Sequence, residues 1–369
     1  MIKNNLFCIT FLFCLLSSFQ SFAFAHLPQY PEQDASEQIG YYSGVKDLPP
    51  NKNWMNNLPP KVEIRSISIP GTHGSAARIG GDAVRNQTLT ITQQLNAGIR
   101  FLDLRLRHIN NGFALHHGAY FQNRVFDQAL NDIKTFLHEN PSEFVFVRVK
   151  KEHTELNNSR SFEETFKAYA ENYADIIWDI WSPVFNTNPN VEEVRGKIIF
   201  LQDFKSKFSI FGANYHGFNI QDNFHLRTNW DLYSKWEGVK THIELANNNR
   251  YGYSGYINQL AGNTGSFPYF VASGHSSPSN NAPRLLTGLT TPGWENSYPD
   301  FPRVGCFIGI CSIAFEGINT LTKNYLRNNP SIQYAGIVVA DFPSAALIEE
   351  IINLNKRRGF WDEKEQQEN

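Results

Sequence analysis

In Phe101-Leu102-Asp103-Leu104-Arg105-Leu106-Arg107, leucines hold the even positions and charged residues the odd ones after Phe101. This is the period-two pattern of a strand whose two faces see different surroundings. A few residues on, Phe113-Ala114-Leu115 runs into His116, His117 and Gly118, and upstream His73 stands in a Pro70-Gly71-Thr72-His73-Gly74 loop. An acid, two arginines and several imidazoles arriving from adjacent segments suit a reactive site better than a solvated face. Imidazoles titrate near neutrality, so a pair of them can divide a phosphodiester displacement, one taking a proton while the other gives one. Arg105 would hold the non-bridging oxygens through its planar fork. No metal and no other cofactor is expected, because a metal-dependent site calls for several carboxylates on neighbouring strand ends and here an arginine follows Asp103 on the same face. Asp103 and Asp341 then read as orienting carboxylates, with a structural ion pair between Asp103 and Arg105 or Arg107 as the alternative.

The elements that must position these groups alternate between strand and helix. Apolar alternation predicts a strand over 62–69, broken by Pro70-Gly71, and a short amphipathic helix over 86–98. A helix is expected from Phe126 to Asn140, a strand from Phe144 to Lys150, a helix over 161–181 and a strand from Lys197 to Leu201 followed by Asp203. Beyond Phe204 the pattern is loose up to about Trp294, with one helix placed over 230–246. It sharpens again into a strand from Tyr334 to Ala340, ended by Asp341, and a helix from Ser344 to Leu354. Strands alternating with helices predict a mostly parallel α/β sheet, open or closed. Polar residues gathered at the C-terminal ends of strands (His73, Asp103 with Arg105, Lys150, Asp203, Asp341) are what a barrel with its site at that mouth predicts, and an open doubly wound sheet would use the same edge.

Composition sets the address. Met1-Ile2-Lys3, an apolar run from Leu6 to Leu16 and then Ala23-Phe24-Ala25 form the pattern of a secretory signal peptide over 1–25. A secreted protein, extracellular or periplasmic, is expected. Residues 26–60 read as an N-terminal extension wrapping the surface until Trp54-Met55 anchors the entry to the first strand, 61–355 as one barrel domain and 356–369 as a charged, solvated tail. Of the four cysteines, Cys306 and Cys311 remain in the mature chain, either as a disulfide closing a small loop or as two isolated thiols. With 33 basic and 35 acidic residues and no basic run, a nucleic-acid partner is not expected. No glycine-rich dinucleotide motif or P-loop is present.

Taken together, Ser68-Ile69-Pro70-Gly71-Thr72-His73, Gly98-Ile99-Arg100-Phe101-Leu102-Asp103-Leu104-Arg105 and Leu115-His116-His117-Gly118 resemble the X-domain of bacterial phosphatidylinositol-specific phospholipase C. So do Asn140-Pro141-Ser142-Glu143, Val149-Lys150-Lys151-Glu152, Gly196-Lys197-Ile198-Ile199 and Val338-Val339-Ala340-Asp341-Phe342-Pro343. The resemblance implies a distorted TIM (β/α) barrel and a metal-independent, two-step cleavage of phosphatidylinositol, or of inositol-glycan anchors, to diacylglycerol and inositol 1,2-cyclic phosphate. It implies His73 as general base and His117 as general acid, His116 facing away. Arg105 would stabilise the phosphate, Asp103 assist near the 2-hydroxyl and Asp341 orient His73. Lys150, Asp222 and Phe224 fall at headgroup-binding positions. The partners implied are a phosphatidylinositol headgroup and a transiently touched membrane surface, met by a monomer. Aromatic segments from Phe208 to Phe218 and from Tyr251 to Phe270 are the candidates for that contact.

Three positions depart from the family pattern. Gly74 replaces an acidic residue that supports the general acid, Asp203 stands where an arginine is usual, and Phe224 stands where a tyrosine stacks on inositol. Stacking survives the last change and the hydroxyl contact does not. Two other readings follow: a metal-dependent glycerophosphodiester phosphodiesterase, or an inositol- or glycan-binding module of the same fold with little turnover.

Overall fold

The computed structural model describes residues 39–178, 188–207, 211–278 and 282–361. The leader expected over 1–25 and the last residues of the tail, 362–369, lie outside the described residues. Eight strands build the frame: β1 (Ile69–Thr72), β2 (Phe101–Ile109), β3 (Val145–Lys151), β4 (Ile198–Asp203), β5 (Ala213–Asn214), β6 (Asn219–Gln221), β7 (Tyr256–Gln259) and β8 (Ile337–Ala340). They pair in parallel in the order β5-β4-β3-β2-β1-β8-β7-β6, and among the described residues β5 and β6 do not pair. The expected distorted barrel is therefore present, a curled parallel sheet left unjoined at one seam.

The leucine face of β2 points outward. Leu102, Leu104 and Leu106 are buried among Phe126, Ile133 and Phe136 of the helix Phe126–Glu139 and Phe166 of the helix Phe162–Asn172. Behind β8, the helices Ile318–Asn328 and Ala345–Arg357 supply Leu321, Leu347 and Ile351 to a second apolar cluster. With both sheet faces needed for packing or chemistry, each strand is committed to one register.

The first strand begins later than alternation suggests. Ile64–Ser66 forms a 3-10 turn, and β1 runs through Pro70 and Gly71 instead of stopping there. Pro70 is tolerated because pairing with β2 starts only at Gly71↔Phe101, so its missing N–H costs no ladder bond. Gly71 is required because a Cβ there would lie 2.8 Å from the Cβ of Phe101. The predicted helix over 86–98 is shorter, Ile91–Asn96, opened by a capping box between Thr90 and Gln93.

Other expectations also need correction. The extension is buried further back than expected, at Tyr41, Tyr42 and Leu48, while its expected anchor is in place: Trp54 and Met55 are buried and the Trp54 indole N–H donates to the Gly98 carbonyl. Lys356 and Arg357 are the last turn of a helix rather than a solvated tail, and Arg358 donates to the Ser66 carbonyl. The loose region contains β5 to β7, the helix Leu232–Asn248 and the helix Pro268–Ser273. An antiparallel three-stranded insert follows, formed by Leu286–Thr290, Arg303–Phe307 and Ile310–Ala314. Cys306 and Cys311 are joined by a disulfide within that insert.

Candidate active site

Register builds the site in layers. Asp103 pairs with Arg148 and Arg105 with Lys150 across β2 and β3, and Lys150 pairs in turn with Asp203 across β3 and β4. Register partners in a parallel sheet share a face, so a charged lining forms inside the barrel mouth. His73 and Asp341 follow directly on β1 and β8, where Thr72 pairs with Ala340.

His73 connects to three of these groups. Its Nδ1 lies 2.9 Å from Asp341 Oδ1, its Nε2 lies 2.6 Å from an Arg105 terminal nitrogen and 3.9 Å from Asp103 Oδ2. A guanidinium only donates, so the Arg105 contact requires Nε2 to be the acceptor, and Nδ1–H then donates to Asp341. The ring is thereby held as the neutral tautomer with its basic nitrogen toward the cavity. Asp341 is fully buried, and burial raises its carboxyl above the usual range against the opposing pull of His73 and Arg105.

Asp103 is buried as well, which by itself would raise its pKa. The guanidiniums of Arg105 and Arg148, together with His73 and the Gly74 N–H, outweigh that and hold it well below the ordinary carboxylate range. It accepts from Gly74 N–H at 3.0 Å and from Arg105 Nε at 3.3 Å, and Arg148 approaches at 3.6 Å. The structural ion pair and the orienting role weighed for Asp103 are thus made by the same atoms. Arg107 does not join the site; its Nε donates to the Thr154 carbonyl on the exposed surface.

His117 ends the first strand of a hairpin, Gly112–His117 and Tyr120–Val125, that extends β2. Its ring centroid is 6.4 Å from that of His73, nearly perpendicular to it. Burial, with Arg105 and His73 beside it, pushes His117 down to about 4, while Glu152 pulls the other way. His116 points to the far side of the hairpin, stacked toward His153 and tilted against Phe121.

Lys150, Asp222 and Phe224 line a cavity of about 110 Å³ together with His73, Arg105 and Arg148. Asp222 and Phe224 also wall a second, more open chamber of about 380 Å³ that reaches Arg227, Asp231 and Lys235. Burial lowers the Lys235 ammonium to about 7, against Asp222 and Asp341.

Two of the three departures acquire a physical account. A side chain at Gly74 would have to adopt φ near +47° and push the Asn86 amide aside, since its Cβ would sit 2.6 Å from Asn86 Oδ1, so the usual acid is strained there. A carboxylate still acts on His117 through space: Glu152, just past β3, accepts from the Gly118 N–H at 2.7 Å, lies 3.8 Å from Arg105 and raises His117 electrostatically. Asp203 is matched by Arg148, which bonds it at 2.6 Å and stacks 4.0 Å over the Tyr215 ring, so a guanidinium enters the cavity from the neighbouring strand. Neither Arg148 nor Glu152 was marked as a site residue by the sequence; the nearest signal is their position two residues either side of Lys150.

The fold and the mouth define a class, a (β/α) barrel whose residues 63–174 match the family model described as PI-PLC X 1. That bears out the resemblance carried by the sequence motifs. The chain is 31% identical over 171 residues to the 1-phosphatidylinositol phosphodiesterase of Listeria monocytogenes, covering 44% of this chain and 52% of the relative. It is 28% identical over 181 residues to the protein of that name from Staphylococcus aureus, covering 47% and 58%. The chain thus spans about half the length of the curated relatives it matches. Similarity in fold runs further: the phosphatidylinositol-specific phospholipase C of Listeria monocytogenes superposes with a TM-score of 0.60 at 22% identity, over 83% of this chain and 99% of that one. A Staphylococcus aureus phospholipase C of the same kind gives 0.60 at 19% identity, over 82% and 97%.

Proposed function

We propose that this chain is a phosphatidylinositol phosphodiesterase working by paired histidines. The observation that carries the reading is the His73 ring, fixed between Asp341 and Arg105 with Nε2 turned to the cavity and His117 across from it. His73 Nε2 takes the proton of the inositol 2-hydroxyl, and that oxygen attacks phosphorus. The bond from phosphorus to the glycerol oxygen breaks, and His117 delivers a proton to the departing diacylglycerol. Inositol 1,2-cyclic phosphate remains, and water opens it in a second step with the two histidines exchanging roles.

Arg105 lies where negative charge develops, with Arg148 and Lys150 on the same wall. Asp103, Asp203 and Asp341 are each engaged by a basic side chain, so the carboxylates a divalent cation would want are committed elsewhere. A phosphate entering beside Arg105 offsets the positive charge that holds His117 low and makes the acid easier to protonate. The relatives' activity supports the inositol headgroup. Export is part of the proposal and rests on the leader at 1–25; N-terminal sequencing of the exported protein should begin at His26.

Phosphorus NMR of the purified protein with phosphatidylinositol vesicles and excess chelator tests the reading. The cyclic phosphate signal is expected first. Activity appearing only on calcium addition would transfer the case to the metal-dependent reading, and binding without product to the binding module.

A further inference from the structure

The insert between β7 and the helix Ile318–Asn328 has no role in the chemistry above, yet it carries an unusual concentration of exposed apolar side chains. Its hairpin, Arg303–Phe307 and Ile310–Ala314, ends in Phe307, Ile308 and Ile310, which are 74%, 83% and 54% exposed. From Val304 to Phe315 there is no charged residue. Arg303 at the base does not change this, because its guanidinium is turned inward onto the carbonyls of Glu295, Ser297, Tyr298 and Phe301.

Topology places the base of this insert. In a (β/α) barrel, the connection from a strand to the following helix emerges at the catalytic mouth. Just beyond β7, Ala261, Gly262 and Asn263 line the cavity beside His73 and Arg105, and the chain rejoins the barrel wall only at Ile318. The insert therefore leaves the barrel and returns to it at the end that carries the mouth. Ser277 of the insert donates to Asp82, on the connection after β1, which ties the insert across the same face.

We infer that the Cys306–Cys311 hairpin is a wedge that enters the interface of a lipid bilayer and seats the mouth on it. The choice of a bilayer as partner rests on the phosphodiesterase reading, whose substrate has its acyl chains in a membrane. Three further features suit a bilayer. The disulfide joins the strands immediately behind the tip, and Leu286–Thr290 pairs alongside, so little conformational freedom remains to be lost on insertion. Phe307 pairs with Ile310, so backbone groups at the tip find partners within the hairpin.

Indoles stand behind the apolar tip. Trp294 follows the strand that flanks Cys311 and is 49% exposed, and Trp230, 54% exposed, donates to the Thr287 carbonyl. Such rings prefer the headgroup level. A convex tip of three side chains is too small for a stable protein interface, whereas a bilayer accepts it without a matching hollow.

Exposure alone does not make this case. Tyr251 and Tyr253 are more exposed, at 79% and 87%, but they sit between the helix Leu232–Asn248 and β7, a helix-to-strand connection at the opposite end of the barrel. Arg250 and Arg358 lie over the Tyr251 ring. Of the segments expected to touch lipid, 251–253 therefore faces away, and Phe211 and Tyr215 are buried.

The test is sedimentation with sucrose-loaded phosphatidylcholine vesicles that contain no inositol lipid, paired with hydrolysis of soluble inositol 1,2-cyclic phosphate. The triple variant Phe307→Ser, Ile308→Ser, Ile310→Ser should lower vesicle partitioning at least about tenfold. The single variant Ile308→Asp should do the same, which covers the case of a misfolded triple. Neither should alter turnover of the soluble substrate, and Tyr251→Ser with Tyr253→Ser should leave partitioning unchanged. Wild-type protein that fails to sediment, tip variants that sediment like wild type, or lipid-free self-association through the tip would each overturn the wedge. Partitioning lost with the tip in a protein that never turns over inositol phosphates would support the wedge and contradict the catalytic reading alone.

Discussion

The Nε2 atom of His73 lies 2.6 Å from the Arg105 guanidinium. One contact thus sets the tautomer of a base and places the cation that the phosphate must meet, and the substrate has to enter between the two groups. Arg105→Lys keeps the charge but loses both the fork and the second bond to Asp103. Steady-state kinetics should show kcat lowered about 10²- to 10³-fold with the circular dichroism spectrum unchanged. A loss under about threefold would mean that Arg105 is not the phosphate ligand.

Glu152 is the carboxylate nearest to supplying what Gly74 cannot. Glu152→Gln keeps the Gly118 N–H bond available and removes the charge that raises His117. We expect the alkaline limb of the kcat profile to move to lower pH, with kcat down about tenfold or more at neutrality. A uniform fall in rate with the limb unmoved would assign Glu152 a structural role only.

Gly74→Asp should lower activity. Although it restores the family residue, it puts a Cβ on a backbone at positive φ and drives it against the Asn86 side chain. A stability loss of about 1–3 kcal/mol is expected in denaturant titration. Higher activity at unchanged stability would show that the loop can move aside.

His117 titrates at about 4 in the folded chain, against about 6.5 when unfolded. Between those values the unfolded chain binds a proton that the folded one refuses, so stability from this group is complete above about pH 6.5 and is lost as pH falls toward 4. Proton NMR of the imidazole should locate the folded midpoint near 4 and move it upward when inorganic phosphate binds. A midpoint at or above 6.5 without ligand would remove the electrostatic picture of the mouth.

Residues whose chemistry is set by their own strand were legible from sequence. Asp103 and Arg105 declare a common face through period-two alternation, whereas the choice of His117 over His116 came from the family motif, which uses the second histidine. Arg148 and Glu152 were not legible as site residues because their roles depend on cross-strand register, Arg148 opposite Asp103 and Glu152 reaching Gly118. In Val147-Arg148-Val149-Lys150-Lys151-Glu152 they look like ordinary solvated charges. β1 was displaced because Pro70-Gly71 reads locally as a break, and only its neighbours show why both are tolerated. The helix Ile318–Asn328 has no side-chain cap at Gly317 and a polar first turn after Ile318, so nothing marks its start. The hairpin at 303–314 lacks alternation near its tip because neither face there meets a core.

A substrate with sulfur in place of the bridging glycerol oxygen tests the central claim most directly. A thiolate leaves without a proton, so it should restore much of the rate to His117→Ala while leaving His73→Ala inactive, each variant having lost about 10²- to 10⁴-fold on the oxygen substrate. Equal rescue of both variants, or of neither, would contradict the assignment of His73 as base and His117 as acid.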